Sequence, residues 1–80
     1  MGAATPRRAT AVLVGRLTAR EREVVHWVAR GKTDREIASN IGCAPKTVEK
    51  HLEHVYDKLG VPNRAAAVAV TLSALGAADL

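Results

Sequence analysis

The chain has 80 residues, of which 48% are hydrophobic and 25% charged, and its formal net charge is +4. This length allows one domain with a small core, and the composition excludes an intrinsically disordered chain. The single cysteine excludes an intramolecular disulfide and is typical of a reducing cytoplasm. No apolar run approaches the ~20 residues of a membrane-spanning helix. The positive charge favours a polyanionic partner but does not establish one.

The N-terminal half of the chain predicts a tail followed by two helices. Residues 1–16 lack helical periodicity and are expected to form a flexible tail or linker. A first helix is predicted over about 18–30, because Thr18 and Glu21 form a T-x-x-E capping box and apolar residues follow at helical spacing. The same box recurs at Thr33 and Glu36, which predicts a second helix over 33–41.

A glycine turn and a proline then introduce the third predicted helix. Gly42 can adopt a positive φ, and Pro45 suits the first position of a helix over 45–59. The apolar positions of this helix define an inward stripe, formed by Val48, Leu52, Val55, Tyr56 and Leu59. Two short helices joined by such a turn are a helix-turn-helix, whose second helix is shaped to enter the DNA major groove.

The C-terminal part predicts a fourth helix over 63–75, capped by Asn63, and a tail over 77–80. This helix is apolar around most of its circumference. A surface helix without a polar face is either enclosed in a core or covered by another chain, and the small size of the domain favours the second option. No strand pattern is present, so the expected fold is all-α, a four-helix bundle that contains the helix-turn-helix.

Several separated motifs resemble one family. The segments LT-x-RE-x-EV, G-x-T-x-x-EIA, KTVEKHL, KLGV and NR occur in the order typical of the LuxR-type (FixJ- or GerE-like) DNA-binding domain, over residues 17–76. This resemblance implies a transcriptional regulator that binds double-stranded DNA as a dimer, with the third helix as the recognition helix. One departure is Ala44, where the family usually has a Ser or Thr that caps this helix.

The resemblance, together with the exposed positions of the third helix, predicts three groups of site residues. The residues expected to contact bases are Glu49, Lys50 and Glu53. Those expected to contact phosphates are Lys32, Thr33, Lys46, Thr47, His54 and Arg64. Those expected to contact a second subunit, through the fourth helix, are Val68, Val70, Leu72 and Leu75.

The third helix is formally neutral, since its three lysines are balanced by Glu49, Glu53 and Asp57. Carboxylates are repelled by phosphates, but they accept hydrogen bonds from cytosine N4 in the major groove. Glu49 and Glu53 are therefore expected either to discriminate among bases or to pair with neighbouring lysines on a solvated surface. Attraction to the DNA backbone would then depend on cations elsewhere, namely Arg20, Arg30, Lys32, Arg35 and Arg64.

Other functional classes have less support. His51, His54 and Cys43 suggest a metal site only weakly, since no fourth ligand is evident, and no metal or other cofactor is expected. The sequence has no catalytic constellation and little volume for a substrate cleft, so neither an enzyme nor a small-molecule site is expected. The alternative to DNA binding is a helix-turn-helix module that contacts a protein of the transcription machinery. RNA polymerase stands as a further candidate partner, and the expected location is the cytoplasm.

Overall fold

A computed structural model describes residues 15–78 of the chain, with side chains as far as residue 73. Four helices are present in this range: α1 (Ala19–Ala29), α2 (Asp34–Ile41), α3 (Pro45–Leu59) and α4 (Arg64–Ala78). The described range contains no strand, which confirms the predicted all-α class. The tail predicted over residues 1–16 lies almost wholly outside the described residues.

The two predicted capping boxes are both present. The Thr18 hydroxyl accepts from the Glu21 N–H at 3.1 Å, and Glu21 Oε1 accepts from the Thr18 N–H at 2.8 Å. The same reciprocal pair joins Thr33 and Glu36 at 3.1 and 2.9 Å. These bonds also lower the pKa of Glu36, since the ionised carboxylate accepts from the Thr33 backbone. The starts of α1 and α2 are thus fixed by four local hydrogen bonds.

The turn between α2 and α3 has the geometry that its glycine predicts. Gly42 lies in the left-handed region at φ 76° and ψ 44°, and the N–H groups of Gly42 and Cys43 both donate to the Ala38 carbonyl at 2.9 Å. The chain then enters α3 at Pro45, and Ala44 provides no side-chain cap. This tight turn holds α2 against the base of α3.

The core is aliphatic and has two connected parts. The first, between α1, α2 and α3, contains Val24, Val28, Ile37, Ala38, Val48 and Leu52. The second, between α1, α3 and α4, contains Leu17, Val25, Val55, Leu59 and Ala67. Tyr56 packs against both parts. Because α3 packs against each of the other three helices, the rest of the domain acts as its support.

The fourth helix differs from its prediction in its end. It continues to Ala78, past Gly76, so it occupies the start of the segment predicted as a C-terminal tail. Its inward face is formed by Ala67 and Thr71, and the Thr71 hydroxyl is satisfied by the Ala67 carbonyl at 2.8 Å. Asn63 caps the helix as predicted, since its Oδ1 accepts from the Ala66 N–H at 2.9 Å. Within residues 15–78 no helix is long and apolar enough to cross a membrane.

Candidate nucleic-acid interface

The packing of α3 determines which of its side chains face outward. Val48, Leu52, Val55 and Leu59 are buried and form one stripe along the helix. Because successive residues are rotated by about 100°, the side opposite this stripe carries Lys46, Lys50 and Asp57. All three are exposed. The outermost line of the helix is therefore polar, with its two lysines in the N-terminal half.

The two flanks of α3 differ in charge. Glu49 and Glu53 lie on the side of α2 and α4, where they line a cleft together with Asp34, Tyr56 and Arg64. Burial raises the pKa of the Tyr56 hydroxyl, and the nearby Arg64 only partly opposes this shift. The opposite flank faces α1 and carries the exposed residues Thr47 and His54. The helix thus presents an acidic flank, a basic N-terminal ridge and a neutral flank.

The ion pairs of the domain change the charge balance of α3. Lys58 is bound to Glu21 of α1, with Lys58 Nζ 2.7 Å from Glu21 Oε1. Among the described residues, none of Lys46, Lys50, Glu49, Glu53 and Asp57 forms an ion pair. Glu49 and Glu53 therefore do not form the ion pairs with neighbouring lysines that were the alternative expectation. Two lysines and three carboxylates remain available to a ligand, so the available charge of α3 is slightly negative.

Glu21 is the most deeply buried charged residue within the described range, with 4% of its surface exposed. Burial disfavours its ionised form, but hydrogen bonds from the Lys58 ammonium and the Thr18 N–H outweigh this effect and lower its pKa. Its second oxygen lies 4.0 Å from His54 Nδ1. The carboxylate therefore connects the start of α1 with the C-terminal half of α3. Sequence reasoning identified its capping role but missed the partner, which is 37 residues away.

The residues predicted to contact phosphates fall into two settings. Lys32, Thr33 and Arg64 lie around the start of α2, where they line a cleft with Pro45 at the start of α3. Lys46 and Thr47 are exposed in the first turn of α3, and His54 lies about two turns further along. The Thr33 oxygen already accepts a hydrogen bond from Glu36, but its hydroxyl proton is still available to an anion.

Arg64 is engaged inside the domain. Its Nη1 lies 2.6 Å from Asp34 Oδ1, and its Nη2 donates to the Lys32 carbonyl. Both side chains of the ion pair are about one-third exposed, at 36% for Arg64 and 31% for Asp34. The prediction of a phosphate contact did not anticipate this, because it treated Arg64 as an isolated surface cation. The only sequence signal for the pair is an opposite charge at the start of another helix.

The other arginines proposed to attract DNA are also partly engaged. Arg20 pairs with Glu23 at 2.9 Å, and Arg30 donates to His26 Nε2 at 3.0 Å. Lys32 and Arg35 form no ion pair with any residue between 15 and 78. Lys32, Arg35, Lys46 and Lys50 are then the cations that the helix-turn-helix leaves to a polyanion.

The residues predicted to contact a second subunit do not form one exposed stripe. Val68 is half-buried against the first part of the core, and Val70 against the second. Leu72 is 51% exposed and is the one large apolar side chain that the described part of the chain presents to solvent. The Leu75 side chain lies outside the described residues. Val68 and Val70, which were predicted to contact a second subunit, are thus partly covered by the domain itself.

The domain contains a helix that begins at a capping box (α2), a left-handed glycine turn and a second helix (α3) with one buried apolar side and one exposed polar side. Together these features define a helix-turn-helix domain. Comparison with known proteins identifies the family more closely. Residues 15–71 match the family described as "Bacterial regulatory proteins, luxR family". The chain belongs to this family, and the class predicted from its motifs is confirmed.

Individual relatives are similar over the same part of the chain. A probable transcriptional regulatory protein SgaR of Hyphomicrobium methylovorum is 53% identical over 57 residues, which are 71% of this chain and 27% of that protein. A probable transcriptional regulatory protein NarL of Mycobacterium tuberculosis is 51% identical over 53 residues, 66% of this chain and 24% of that protein. The transcriptional regulatory protein UhpA of Salmonella typhimurium is 44% identical over 62 residues, 74% of this chain and 32% of that protein.

The chain thus spans about a quarter to a third of these three relatives. All three carry the names of transcriptional regulators and not of enzymes. No solved structure matches the chain significantly.

Proposed function

We propose that this domain is cytoplasmic, binds double-stranded DNA sequence-specifically as a dimer, and thereby regulates transcription. The observation that carries the proposal is the placement of α3 in a luxR-family fold. Its apolar stripe is buried, and five of its charged residues are exposed and make no ion pairs among the described residues, namely Lys46, Glu49, Lys50, Glu53 and Asp57. A helix presented in this way fits the major groove, which is wide enough to admit it.

The proposed contacts follow from position and chemistry. Lys50, on the outermost line of α3, reaches a guanine edge or a phosphate, and Glu49 and Glu53 accept hydrogen bonds from cytosine amino groups. Lys46 and Thr47 lie in the first turn of α3, where the helix dipole favours a phosphate oxygen. Lys32, Thr33 and His54 supply further backbone contacts. The division leaves affinity chiefly to the cations and discrimination chiefly to the carboxylates.

The proposed dimer forms through α4, with Leu72 as its exposed apolar contact and Leu75 as a further candidate. Two domains related by a two-fold axis would place their α3 helices in successive major grooves, about one helical turn of DNA apart. Contact with RNA polymerase would be a separate property of the bound regulator.

Selection of bound sequences from random duplex DNA tests this proposal. The expected product is an inverted repeat with half-sites separated by about 10 base pairs centre to centre. Direct repeats or single half-sites would contradict the dimer. No enrichment at low salt would contradict DNA binding and favour the alternative, a module that contacts a protein of the transcription machinery.

A further inference from the structure

Arg64 occupies the point at which three segments of the domain meet. It is the first residue of α4, its Nη1 binds Asp34 at the first position of α2, and its Nη2 binds the Lys32 carbonyl in the turn after α1. The two acceptors lie 30 and 32 residues away in the sequence. A planar guanidinium can hold two acceptors in a fixed geometry, which a lysine ammonium cannot do.

This contact lies beside the helix-turn-helix and not at the far end of the domain. Arg64 lines the cleft that contains Lys32, Thr33 and Pro45, and it also lines the neighbouring cleft that contains Glu49 and Glu53. Among the described helices, α2 packs on α3 and α1 but makes at most marginal backbone contact with α4. The Arg64–Asp34 pair is thus the main polar connection between α4 and the start of α2.

We infer that Arg64 is a positioning residue for DNA binding. From the start of α4, which packs on α3, it holds the Lys32–Thr33 turn and the start of α2 in a fixed position relative to α3. The inference rests on the proposed function, and it replaces the earlier expectation that Arg64 contacts phosphate. Its guanidinium acts through Asp34 and the Lys32 carbonyl. The residues placed in this way are Lys32 and Thr33, whose proposed phosphate contacts depend on where the turn lies.

The two roles of Arg64 predict opposite effects for Asp34→Ala. This change removes a negative charge near the DNA and releases the guanidinium. If Arg64 bound phosphate through its charge, DNA binding would be unchanged or tighter. If Arg64 is a positioning residue, binding becomes weaker although the domain is more positive. Arg64→Lys gives the matching comparison, because it keeps the charge but cannot hold both acceptors.

The test uses the 80-residue chain and a fluorescent duplex enriched by wild-type selection from random DNA. Binding is measured at a temperature at which circular dichroism shows every variant to be folded. We expect Asp34→Ala and Arg64→Lys each to weaken binding roughly tenfold, or ~1.4 kcal/mol. The double variant should be little worse than either single variant, because both changes break the same contact. In Asp34→Ala the slope of log K against log salt should become shallower, because the phosphate contact of Lys32 is weakened, whereas a released phosphate-binding Arg64 would leave the slope unchanged or make it steeper.

Asp57→Asn is the matched control, since Asp57 is exposed on α3 and forms no ion pair among the described residues. Its loss of negative charge should tighten binding slightly. Unchanged or tighter binding by Asp34→Ala would overturn the inference, as would a melting temperature that falls while the Kd of the folded variants stays constant. If the wild-type chain binds no duplex at all, the proposed function fails first.

Discussion

The start of α3 has no side-chain cap, so a single substitution there should stabilise the domain. Ala44 has φ −81° and ψ 149°, nearly the conformation of the capping residue Thr33 at −79° and 164°. Without a side-chain oxygen, the Thr47 N–H donates at 2.9 Å to the Ala44 carbonyl, and the Val48 N–H reaches the same carbonyl only at 3.3 Å. At Thr33 the corresponding N–H, that of Glu36, donates to the threonine hydroxyl. A serine at position 44 should restore this arrangement.

We therefore expect Ala44→Ser to stabilise the domain. A capping hydroxyl contributes ~0.5–2 kcal/mol, and the lower half of this range applies here because the Thr47 N–H already has an acceptor. A gain of ~0.5–1 kcal/mol should raise the melting temperature by roughly 2–8 °C in a domain of this size. Thermal unfolding followed by circular dichroism at pH 7 measures the effect.

Two control variants separate capping from a general effect of the hydroxyl. Ala69→Ser adds the same group at an exposed position inside α4, where it should lower stability by a few tenths of a kcal/mol. Thr33→Ala removes an existing cap and should cost ~1 kcal/mol. A melting temperature that does not rise in Ala44→Ser, while Thr33→Ala shows its expected loss, would refute the assignment of position 44 as an empty cap.

Three further predictions concern the buried carboxylate, the exposed face of α4 and the acidic flank of α3. Because the pKa of Glu21 is lowered on folding, its ionised form stabilises the domain above its ordinary value of 4.5, and this contribution is lost as the pH falls through the lowered pKa. Glu21→Gln should thus lower the free energy of unfolding by roughly 1–3 kcal/mol at pH 7 and by progressively less below pH ~4.5. Urea titrations at several pH values measure this difference. A difference that does not change with pH would contradict the stabilising role of the ionised Glu21. Leu72→Glu should weaken DNA binding more than it weakens folding, whereas Val70→Glu should unfold the domain, because Val70 is half-buried against the core. Sedimentation would measure dimer formation, and circular dichroism would measure folding. Loss of folding in Leu72→Glu would contradict the assignment of α4 as the dimer contact. Glu53→Gln should tighten binding to mixed-sequence DNA and reduce the preference for the selected duplex, and an equal change on both duplexes in fluorescence anisotropy would show that Glu53 reads no base.

The helices could be predicted because their signals are local. A capping box, a glycine turn and a helix-starting proline each depend on residues within three or four positions, so the sequence contains everything needed to recognise them. The predicted end of α4 was wrong for a related reason. Gly76 predicts a stop, but a glycine inside a helix costs only ~1 kcal/mol, and the surrounding alanines favour continuation to Ala78.

The polar contacts between helices could not be predicted in this way. Glu21 with Lys58, and Asp34 with Arg64, are separated by 37 and 30 residues, and many opposite charges lie at similar distances along the chain. Which of them meet depends on how the helices pack. The exposed positions of α3 could therefore be predicted, because helical geometry determines the face, whereas the ion pair of Arg64 could not, because it is a tertiary contact.

The salt dependence of binding to duplex DNA tests the central claim most directly. If α3 and the neighbouring cations bind the DNA backbone, log K should fall linearly with log salt, with a slope of about −0.9 for each phosphate neutralised. Replacement of Lys50 by alanine should weaken binding to the selected duplex. Absence of binding at low salt, or an affinity that does not change with salt, would contradict the proposal that this domain acts by binding DNA.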